Sequence, residues 1–272
     1  MCRFSRLSGV GGPQRNNRFS QFSTRTAKSD SLLVIEVSIV IPCRNEEARL
    51  PRTLEALSAH LGGTPYSSEV VVVVEKSTDS TATMAQEFAL RDPRFRVIAN
   101  PVARGKGFAV KTGMLAAEGA VVFFMDADLS VPLRFIDEFL PEFAGGADVV
   151  IGSRQHPDSV IVRSQPFARV LAGRAFNLCL RLCGATRSKD TQCGFKAFRK
   201  DFAHGVFSKL ESDAFGFDVE ALALADALGA RIVERPVEWC DAPGTKVRAL
   251  KDGAAAFLEA LAGARRAAKY RR

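Results

Sequence analysis

The sequence predicts an α/β fold in which a mostly parallel sheet is flanked by helices on both faces. Three observations support this prediction. Short apolar runs alternate with longer stretches of helical periodicity from residue 37 to residue 153. The run EVVVVVE at 69–75 has no polar alternation, which is typical of a strand buried on both faces. Charged residues follow several of the runs, at the strand ends where parallel sheets bind their ligands.

The first part of the chain contains five predicted strands separated by four predicted helices. The predicted strands are VSIVIP at 37–42, EVVVVVE at 69–75, RFRVIAN at 94–100, AVVFFMD at 120–126 and ADVVIGS at 147–153. The predicted helices are 45–61, 77–90, 105–119 and 133–143. The apolar face of the first helix consists, at helical spacing, of Leu50, Leu54, Leu57 and Leu61.

The alternation weakens after residue 153, and the remainder predicts an α+β region. Its predicted elements are a loop at 153–166, an amphipathic helix at 168–184, a turn and short strand at 186–201, a helix at 217–229, a strand or strand pair at 230–239, a loop at 240–250 and a helix at 251–268. We expect one folded domain at 35–250. A disordered basic segment at 1–34 precedes it, and a basic amphipathic helix at 251–272 follows it.

The formal charge of +8 is concentrated at the two ends of the chain. Residues 1–29 contain six Arg or Lys and no acid, and the last eight residues, RRAAKYRR, contain five basic residues. Basic ends of this kind can bind nucleic acid or anionic lipid, or they can serve solubility alone. No aromatic side chains interleave with the basic runs as a base-stacking surface requires, so we expect no nucleic-acid partner.

The sequence predicts a cytoplasmic protein that is at most peripheral to a membrane, and its scattered cysteines without CxxC spacing fit reduced thiols. No apolar run approaches the roughly 20 residues that a membrane-spanning helix needs, and the first residues lack the apolar core of a secretory signal. The ending ARRAAKYRR has two interpretations. It either contacts anionic lipid, or it is a solvated helix end whose basic residues offset the helix dipole.

Two aspartates, Asp126 and Asp128, end the apolar run in VVFFMDADLS. Carboxylates this close repel each other unless a cation lies between them. If strand geometry persists through Ala127, both side chains point to one spot, because residues i and i+2 of a strand share a face. Mg²⁺ or Mn²⁺ takes such oxygen ligands together with the phosphate oxygens of a substrate. A loop with two solvated acids is the alternative.

The stretch RGKG around Lys106 predicts an anion-binding turn at the start of a helix. Its glycines permit a close approach of the backbone to a ligand, and the helix that follows offers free N–H groups. It is neither a Walker loop nor a dinucleotide fingerprint. An ordinary basic turn is the alternative, but together with Asp126 and Asp128 it predicts a nucleoside diphosphate site.

A phosphatase of the haloacid dehalogenase type is the enzyme alternative. Such enzymes also place DxD after an apolar strand, but on their first strand, and they need a later Asp-Asp pair. Here the motif follows the fourth predicted strand and no Asp-Asp pair occurs downstream. This alternative is therefore disfavoured.

Several motifs together resemble the inverting family-2 glycosyltransferases with a GT-A fold. They are IPCRNEEARLPRTL, KSTDST, RGKGFAVKTGML, MDADLSVP, DTQCGFKAF, FGFDVEAL and RPVEWCDAPGTKV, which lie between about 37 and 250. Within that family they are most similar to the dolichyl-phosphate β-glucosyltransferases and related polyprenyl-phosphate glycosyltransferases. The resemblance implies a nucleotide-sugar donor such as UDP-glucose, Mn²⁺ or Mg²⁺, and a lipid-phosphate acceptor at the cytoplasmic membrane face.

The resemblance also implies roles for individual residues. On the donor side these residues are Pro42, Arg44, Glu46, Glu75, Lys106, Asp126 and Asp128, with Ser130 as a further metal-site position. On the acceptor side they are Asp190, Gln192 and Asp218. Arg163 and Lys196 are candidate phosphate contacts. A turn cap is the alternative role of Asp190.

One departure from the family pattern leaves the nucleotide open. The family usually has Asp-Asp-Gly-Ser after the second strand, whereas this chain has VEKSTDST. GDP-mannose is therefore an alternative donor, and a non-catalytic nucleotide-sugar binding module is an alternative function. The acceptor class decides the chemistry, because a phosphate is already ionised whereas a hydroxyl needs a general base. For a glycan or alcohol acceptor, Asp218 is the first candidate base and Glu220 the second.

Overall fold

A seven-stranded sheet forms the centre of the fold in a computed structural model that describes residues 35–241 and 249–271, with side chains omitted at 249–254. The predicted basic segment 1–34 and the whole stretch PGTKV, which ends the motif RPVEWCDAPGTKV, lie outside the described residues. The strand order is β3-β2-β1-β4-β7-β5-β8, and β6 and β9 form a separate two-stranded sheet. The strands are Val37–Cys43 (β1), Ser68–Glu75 (β2), Phe95–Asn100 (β3), Val121–Met125 (β4), Val149–Ser153 (β5), Val160–Arg163 (β6), Phe195–Arg199 (β7), Ile232–Pro236 (β8) and Glu238–Cys240 (β9).

The sheet is parallel except for β7, which pairs antiparallel with β4 on one side and β5 on the other. This confirms the predicted α/β fold with a mostly parallel sheet. The helices are Leu50–Leu61 (α1), Thr81–Arg91 (α2), Lys106–Ala116 (α3), Arg134–Ala144 (α4), Phe167–Leu182 (α5), Lys200–Phe207 (α6), Phe217–Ala227 (α7) and Ala249–Ala267 (α8). No helix among the described residues is long and apolar enough to cross a membrane.

The run of valines in β2 explains how the sheet is covered on both faces. Val70, Val72 and Val74 pack into one apolar cluster, together with α1, α2 and α4. Val71 and Val73 point to the other face and pack into a second cluster with α3, α6 and α7. Because side chains alternate along a strand, a strand between two helical layers is apolar at every position.

Three elements differ from the sequence predictions. The first helix begins at Leu50 and not at 45, since Asn45 has a left-handed φ of 54° and the chain turns there. The predicted loop at 153–166 contains β6, which pairs with β9 far along the chain. Helix α6 follows β7 directly and is absent from the prediction. Short elements of this kind depend on distant partners and leave little periodicity in the sequence.

The carboxyl-terminal helix α8 packs against the body of the protein. Ala260 joins a small buried cluster with Leu180 of α5 and Val219 of α7. A Cβ at Gly263 would approach Glu220 of α7 to 2.7 Å, so the two helices meet closely. Helix α8 therefore packs against both α5 and α7.

Candidate active site

A cavity of about 920 Å³ lies beside the ends of β4 and β5. Its wall combines charged residues with apolar ones. Charged members include Lys106, Asp126, Asp128, Arg154, Arg174 and Asp218. Apolar members include Val170, Phe176, Phe215, Trp239 and Phe257. Of the residues predicted from the sequence, the cavity brings together Lys106, Asp126, Asp128, Ser130, Asp190, Gln192 and Asp218.

The two aspartates after β4 reach the cavity through a turn. Strand β4 ends at Met125, so strand geometry does not persist through Ala127 as the sequence-based argument supposed. Asp126 N–H donates to the carbonyl of Gly194, and Ser130 N–H donates to Asp128 Oδ1 at 2.9 Å. Leu129 has a left-handed φ of 55°, which completes the turn. The turn places both carboxylates in the wall of one cavity.

Gly194 leaves the space that Asp126 occupies. A Cβ at this position would collide with the carboxylate of Asp126. Gly194 precedes β7, the antiparallel neighbour of β4, so backbone and carboxylate approach each other across the two strands. This explains a glycine within DTQCGFKAF on steric grounds.

Lys106 begins α3 and pairs with the first aspartate. Its Nζ lies 2.6 Å from Asp126 Oδ1. The preceding Gly105 has a φ of 134°, and its N–H donates to Glu75 Oε1 at 2.9 Å. Burial lowers the pKa of the Lys106 ammonium, but Asp126, Asp218 and Asp128 outweigh this and raise it to about 12. Lys106 is therefore a cation at every physiological pH.

Glu75 supports the RGKG turn. It is buried at the end of β2, and its Oε1 accepts the N–H groups of Arg104 at 3.0 Å and of Gly105. It is not among the residues that line the cavity. In this position the carboxylate holds the loop that carries Lys106.

The donor set at the cavity wall fits a hard divalent cation. Burial and the charge of Asp126 raise the pKa of Asp128, and the hydrogen bonds from Ser130 and the charge of Arg49 oppose that rise. Within 35–241 and 249–271, no group of three or more His, Cys, Asp or Glu residues forms a closed metal cage. A site with two carboxylates and open positions suits a cation that shares its ligands with substrate phosphates.

Asp218 lies in the first turn of α7 and forms a buried ion pair with Lys196 of β7. Lys196 also donates to the carbonyl of Cys193 at 2.7 Å and is fully buried, so both of its contacts are internal. Burial raises the pKa of the Asp218 carboxyl, and Lys196 and Lys106 oppose that rise. Asp218 reaches the cavity, whereas Lys196, a predicted phosphate contact, does not line it.

Glu220, the second candidate base, lies away from the cavity. It accepts hydrogen bonds from Arg266 of α8 at 2.8 and 2.9 Å and from Ser212 N–H at 2.8 Å. Burial raises its pKa, but the contacts with Arg266 and Ser212 outweigh this and lower it. Its role is to join α7 to α8.

Arg154, which sequence reasoning missed, is held in the cavity wall by Asp190. Its Nε donates to Asp190 Oδ2 at 2.7 Å and its Nη2 to Oδ1 at 2.8 Å. The guanidinium lies 5.5 Å from the centre of the Trp239 ring. Asp190 is fully buried, and Arg154 lowers its pKa against the opposing effect of burial. The signal in the sequence was an arginine directly after a strand, in VVIGSR.

Asp190 also forms the turn that positions Gln192. The N–H of Gln192 donates to Asp190 Oδ1 at 3.2 Å, so the turn cap and the ion pair with Arg154 coexist. Gln192 lines the cavity, and its Nε2 is buried without a hydrogen-bond partner among the described residues. An amide donor of this kind is available to a ligand oxygen.

Arg163 lies exposed at the end of β6 and does not line the cavity. The segment after it supplies Ser164, Gln165, Arg169 and Arg174 to the wall instead. Sequence reasoning missed these two arginines, because they belong to an amphipathic helix whose orientation only the packing decides.

The segment after β1, which carries the predicted nucleotide residues Arg44 and Glu46, is linked by hydrogen bonds to the segment after β2. The N–H of Glu46 donates to Thr81 Oγ1 at 2.7 Å, and the N–H of Thr78 donates to Asn45 Oδ1 at 2.8 Å. Arg49 donates to Glu46 at 2.7 and 2.8 Å. Pro42, Arg44 and Glu46 are not in the wall of the described cavity.

Comparison with known proteins agrees with this architecture. The sequence model of Glycosyl transferase family 2 matches residues 38–207. A dolichyl-phosphate beta-glucosyltransferase of Drosophila melanogaster is 34% identical over 78% of this chain and 69% of its own length. The protein of that name from Homo sapiens is 28% identical, with the same coverage of each chain. The glycosyltransferase AglD of Haloferax volcanii is 32% identical over 80% of this chain and 35% of its own.

A solved structure shares the fold. Glucosyl-3-phosphoglycerate synthase from Mycobacterium tuberculosis, in complex with Mn²⁺, UDP and glucosyl-3-phosphoglycerate, superposes with a TM-score of 0.64. The superposition covers 86% of this chain and 80% of the other, at 20% sequence identity. This likeness confirms the GT-A fold.

Proposed function

Because this chain belongs to Glycosyl transferase family 2 and is a glycosyltransferase, we propose that it transfers glucose from UDP-glucose to a polyprenyl phosphate of the dolichyl type. One observation carries the proposal. Asp126, Asp128 and Lys106 lie in the same cavity wall as Arg154 and a set of apolar side chains. A diphosphate site and a second anion site with an apolar wall are what a nucleotide sugar and a lipid phosphate require.

Asp126 and Asp128 would hold Mn²⁺ or Mg²⁺, with Ser130 beside them. Both carboxylates line the cavity, and oxygen ligands suit these cations. When bound, the cation stabilises negative charge on the nucleoside diphosphate as it leaves. Structural neighbours that bind UDP with Mn²⁺ or Mg²⁺ support this assignment.

Lys106 would contact the diphosphate of the donor. Its ammonium is cationic and only partly shielded, with 24% of the side chain exposed, and lies 2.6 Å from Asp126. A fixed cation stabilises the negative charge that develops on the leaving group. Because this charge is larger in the transition state than in the bound donor, the cation accelerates transfer. The acceptor attacks the anomeric carbon from the opposite face, so the product has the inverted configuration.

The acceptor phosphate would lie near Arg154. Asp190 orients the guanidinium with two hydrogen bonds, and Gln192 adds an unused amide donor. Arg169 and Arg174 contribute further positive charge to the same cavity. Guanidinium groups are well suited to phosphate because their fork of N–H donors matches two phosphate oxygens.

The environment of Asp218 supports a phosphate acceptor over a hydroxyl. A hydroxyl acceptor needs a carboxylate that is free to take a proton. Of the two candidate bases named from the sequence, Asp218 reaches the cavity and Glu220 does not, and the Asp218 carboxylate is paired with Lys196. An ionised phosphate needs no base, and Asp218 then acts by orienting Lys196 and by balancing Lys106. The reaction would take place at the cytoplasmic face of a membrane, with the protein in peripheral contact.

Calorimetric titration of the donor tests the proposal. UDP-glucose and GDP-mannose are titrated with and without Mn²⁺ into the wild type, Asp128→Ala and the exposed control Asp158→Ala. We expect UDP-glucose to bind only with metal, and binding to disappear in Asp128→Ala alone. Transfer to a polyprenyl phosphate is then measured with radiolabelled donor. Absence of metal-dependent binding of either donor would refute the proposed donor site.

GDP-mannose is the second candidate donor, because the loop after β2 departs from the usual acidic pair. Asp79 in this loop accepts hydrogen bonds from the Thr81 hydroxyl at 2.5 Å and from Glu47 N–H at 3.2 Å. Its carboxylate is thus engaged in joining the two loops. A preference for GDP-mannose in the titration would change the proposed activity to mannosyl transfer.

A further inference from the structure

Helix α5 carries an exposed apolar stripe on its outer side. The stripe consists of Phe167, Leu171, Leu178 and Leu182, which are 81%, 56%, 48% and 78% exposed. Their spacings of four, seven and four residues place them within a sector of about 60° around the helix. The buried positions of the helix, Asn177 and Leu180, lie outside that sector. The helix is therefore amphipathic with an apolar side that faces away from the protein.

The stripe differs from ordinary exposure of single apolar residues. Leu90 of α2 is 88% exposed, but it stands alone on its helix. Beside the stripe in sequence, strand β6 exposes Val160, Ile161 and Val162 at 58%, 41% and 45%. Four exposed apolar side chains on one side of a helix mark a surface that another apolar phase covers.

The charge of α5 indicates that the apolar phase is a lipid bilayer. The helix sequence FARVLAGRAFNLCLRL contains three arginines and no acid. Arg174 and Arg181 follow Leu171 and Leu178 by three residues each, so they border the stripe on one side. An apolar stripe bordered by arginines is complementary to a bilayer that carries anionic lipids, because the stripe enters the boundary of the acyl chains while the arginines meet the headgroups.

We propose that the stripe of α5 docks this protein on an anionic lipid bilayer. The inference rests on the proposed polyprenyl-phosphate acceptor, and it names the surface through which that acceptor would reach the cavity. The same helix contributes Val170, Arg174 and Phe176 to the cavity wall. With α5 on the bilayer, an acceptor phosphate passes from the headgroup layer to Arg154 while its polyprenyl chain remains in lipid.

Lipid contact was one of two sequence-based interpretations of the carboxyl-terminal helix, but part of its basic end makes contacts within the protein. Arg266 donates to Glu220 at 2.8 and 2.9 Å and to Ser212 Oγ at 2.9 Å. Lys209 lies 5.5 Å from the ring centre of Tyr270. Part of the basic tail thus holds α8 against α7, which makes α5 the stronger candidate for the lipid surface.

Vesicle flotation tests the docking surface. Full-length protein is floated with two kinds of phosphatidylcholine vesicle. One contains no anionic lipid, and the other contains about 30 mol% phosphatidylserine, an anionic lipid of cytoplasmic leaflets. The variant Phe167→Ser/Leu171→Ser/Leu182→Ser is compared with Leu90→Ser, which removes an equally exposed leucine elsewhere. We expect the wild type and Leu90→Ser to float with the anionic vesicles. The triple variant should show a partition coefficient lower by at least about tenfold.

Three outcomes would overturn the proposal. These are recovery of the wild type without vesicles, flotation of the triple variant to the same extent as the wild type, and use of the stripe to hold two copies of the chain together. The last is detected by light scattering, as a dimer that the triple substitution converts to a monomer. Circular dichroism melting curves of all variants establish that they are folded.

The experiment separates this proposal from the proposed reaction. The vesicles contain no polyprenyl phosphate and no donor, so flotation does not depend on catalysis. Titration of UDP-glucose with Mn²⁺ into the triple variant measures the donor site separately, and none of the three substituted residues lines the cavity. Flotation without donor binding refutes the reaction alone, and donor binding without flotation refutes the docking surface alone.

Discussion

Lys106 Nζ lies 2.6 Å from Asp126 Oδ1, and this ion pair joins the start of α3 to the end of β4. The ammonium offsets part of the charge of two neighbouring carboxylates that also raise its pKa to about 12. A cation fixed in this position holds the acids together in the free protein. It is also positioned to meet a diphosphate that enters the cavity.

Lys106→Met should weaken donor binding and transfer. Loss of a charge-assisted contact costs about 1.5–3 kcal/mol, so we expect kcat/KM to fall by about tenfold to a hundredfold. The control Lys200→Met removes an exposed lysine whose Nζ donates to the Glu118 carbonyl at 2.9 Å. Initial rates at varied donor concentration give kcat/KM for each variant. Equal rates for the two variants would contradict the assigned role of Lys106.

Gly194→Ala should displace Asp126, because the added Cβ occupies the place of its carboxylate. We expect a loss of about 1–3 kcal/mol in the free energy of unfolding and loss of metal-dependent UDP-glucose binding. Gly205→Ala in α6 is the matched control, since its Cβ would meet only Leu228 Cδ1 at 3.6 Å. Urea unfolding and calorimetry measure the two effects. Unchanged donor binding in Gly194→Ala would show that Asp126 tolerates a different position.

Lys196→Met should destabilise the protein strongly. It leaves the Asp218 carboxylate buried without its partner, which typically costs about 3–5 kcal/mol. The pair Arg91 and Glu55 provides the comparison, because both side chains are more than 60% exposed and such pairs contribute at most about 1 kcal/mol. Urea unfolding of Lys196→Met and Arg91→Met measures the difference. A similar loss in both would contradict the importance of the buried pair.

Arg154→Lys should impair the acceptor and spare the donor. Lysine keeps the charge but loses the two-point contact with Asp190, at 2.7 and 2.8 Å. We expect KM for the polyprenyl phosphate to rise by roughly tenfold or more, with the affinity for UDP-glucose unchanged. Arg187→Lys is the control, because that side chain is 91% exposed. A larger effect on donor affinity than on acceptor KM would move Arg154 to the donor side.

Asp92 should make stability depend on acid pH. Hydrogen bonds from Arg94 and Ser58 lower its pKa to about 2 against the effect of burial. The folded protein therefore binds this proton less readily than the unfolded chain, whose aspartates titrate near 3.9. The contribution of Asp92, about 2 kcal/mol, is present above pH 4 and is lost as pH falls toward 2. Urea unfolding of wild type and Asp92→Asn between pH 6 and pH 2.5 should converge at the acid end, whereas Asp158→Asn should follow the wild type throughout.

Residues that act with their neighbours in the chain could be predicted from the sequence. The unbroken valines of β2 indicated a strand buried on both faces, and Val70 and Val71 do belong to opposite clusters. Asp126 and Asp128 are two residues apart, so any conformation keeps them close. Their convergence was predicted, although the cause is a turn after Met125 and not a continued strand.

Residues that act through distant partners could not be predicted in this way. Arg154 and Asp190 are 36 residues apart, and Lys196 and Asp218 are 22 residues apart. Their pairing depends on the insertion of β7 between β4 and β5. The same packing buried Lys196 and turned Arg163 outward, so a motif position alone did not determine contact with the cavity.

The sequence by itself determined the alternation of strands and helices, the family, the adjacent candidates Asp126 and Asp128, and the position of Lys106 at a helix start. Hydrophobic periodicity and short-range spacing carry that information, because they constrain which residues share a face or a strand end. Only the tertiary structure decided which charges are paired inside and which face the cavity. It also decided that the apolar side of α5 points outward. Burial and ion pairing are set by contacts between segments that are remote along the chain, and no local pattern encodes them.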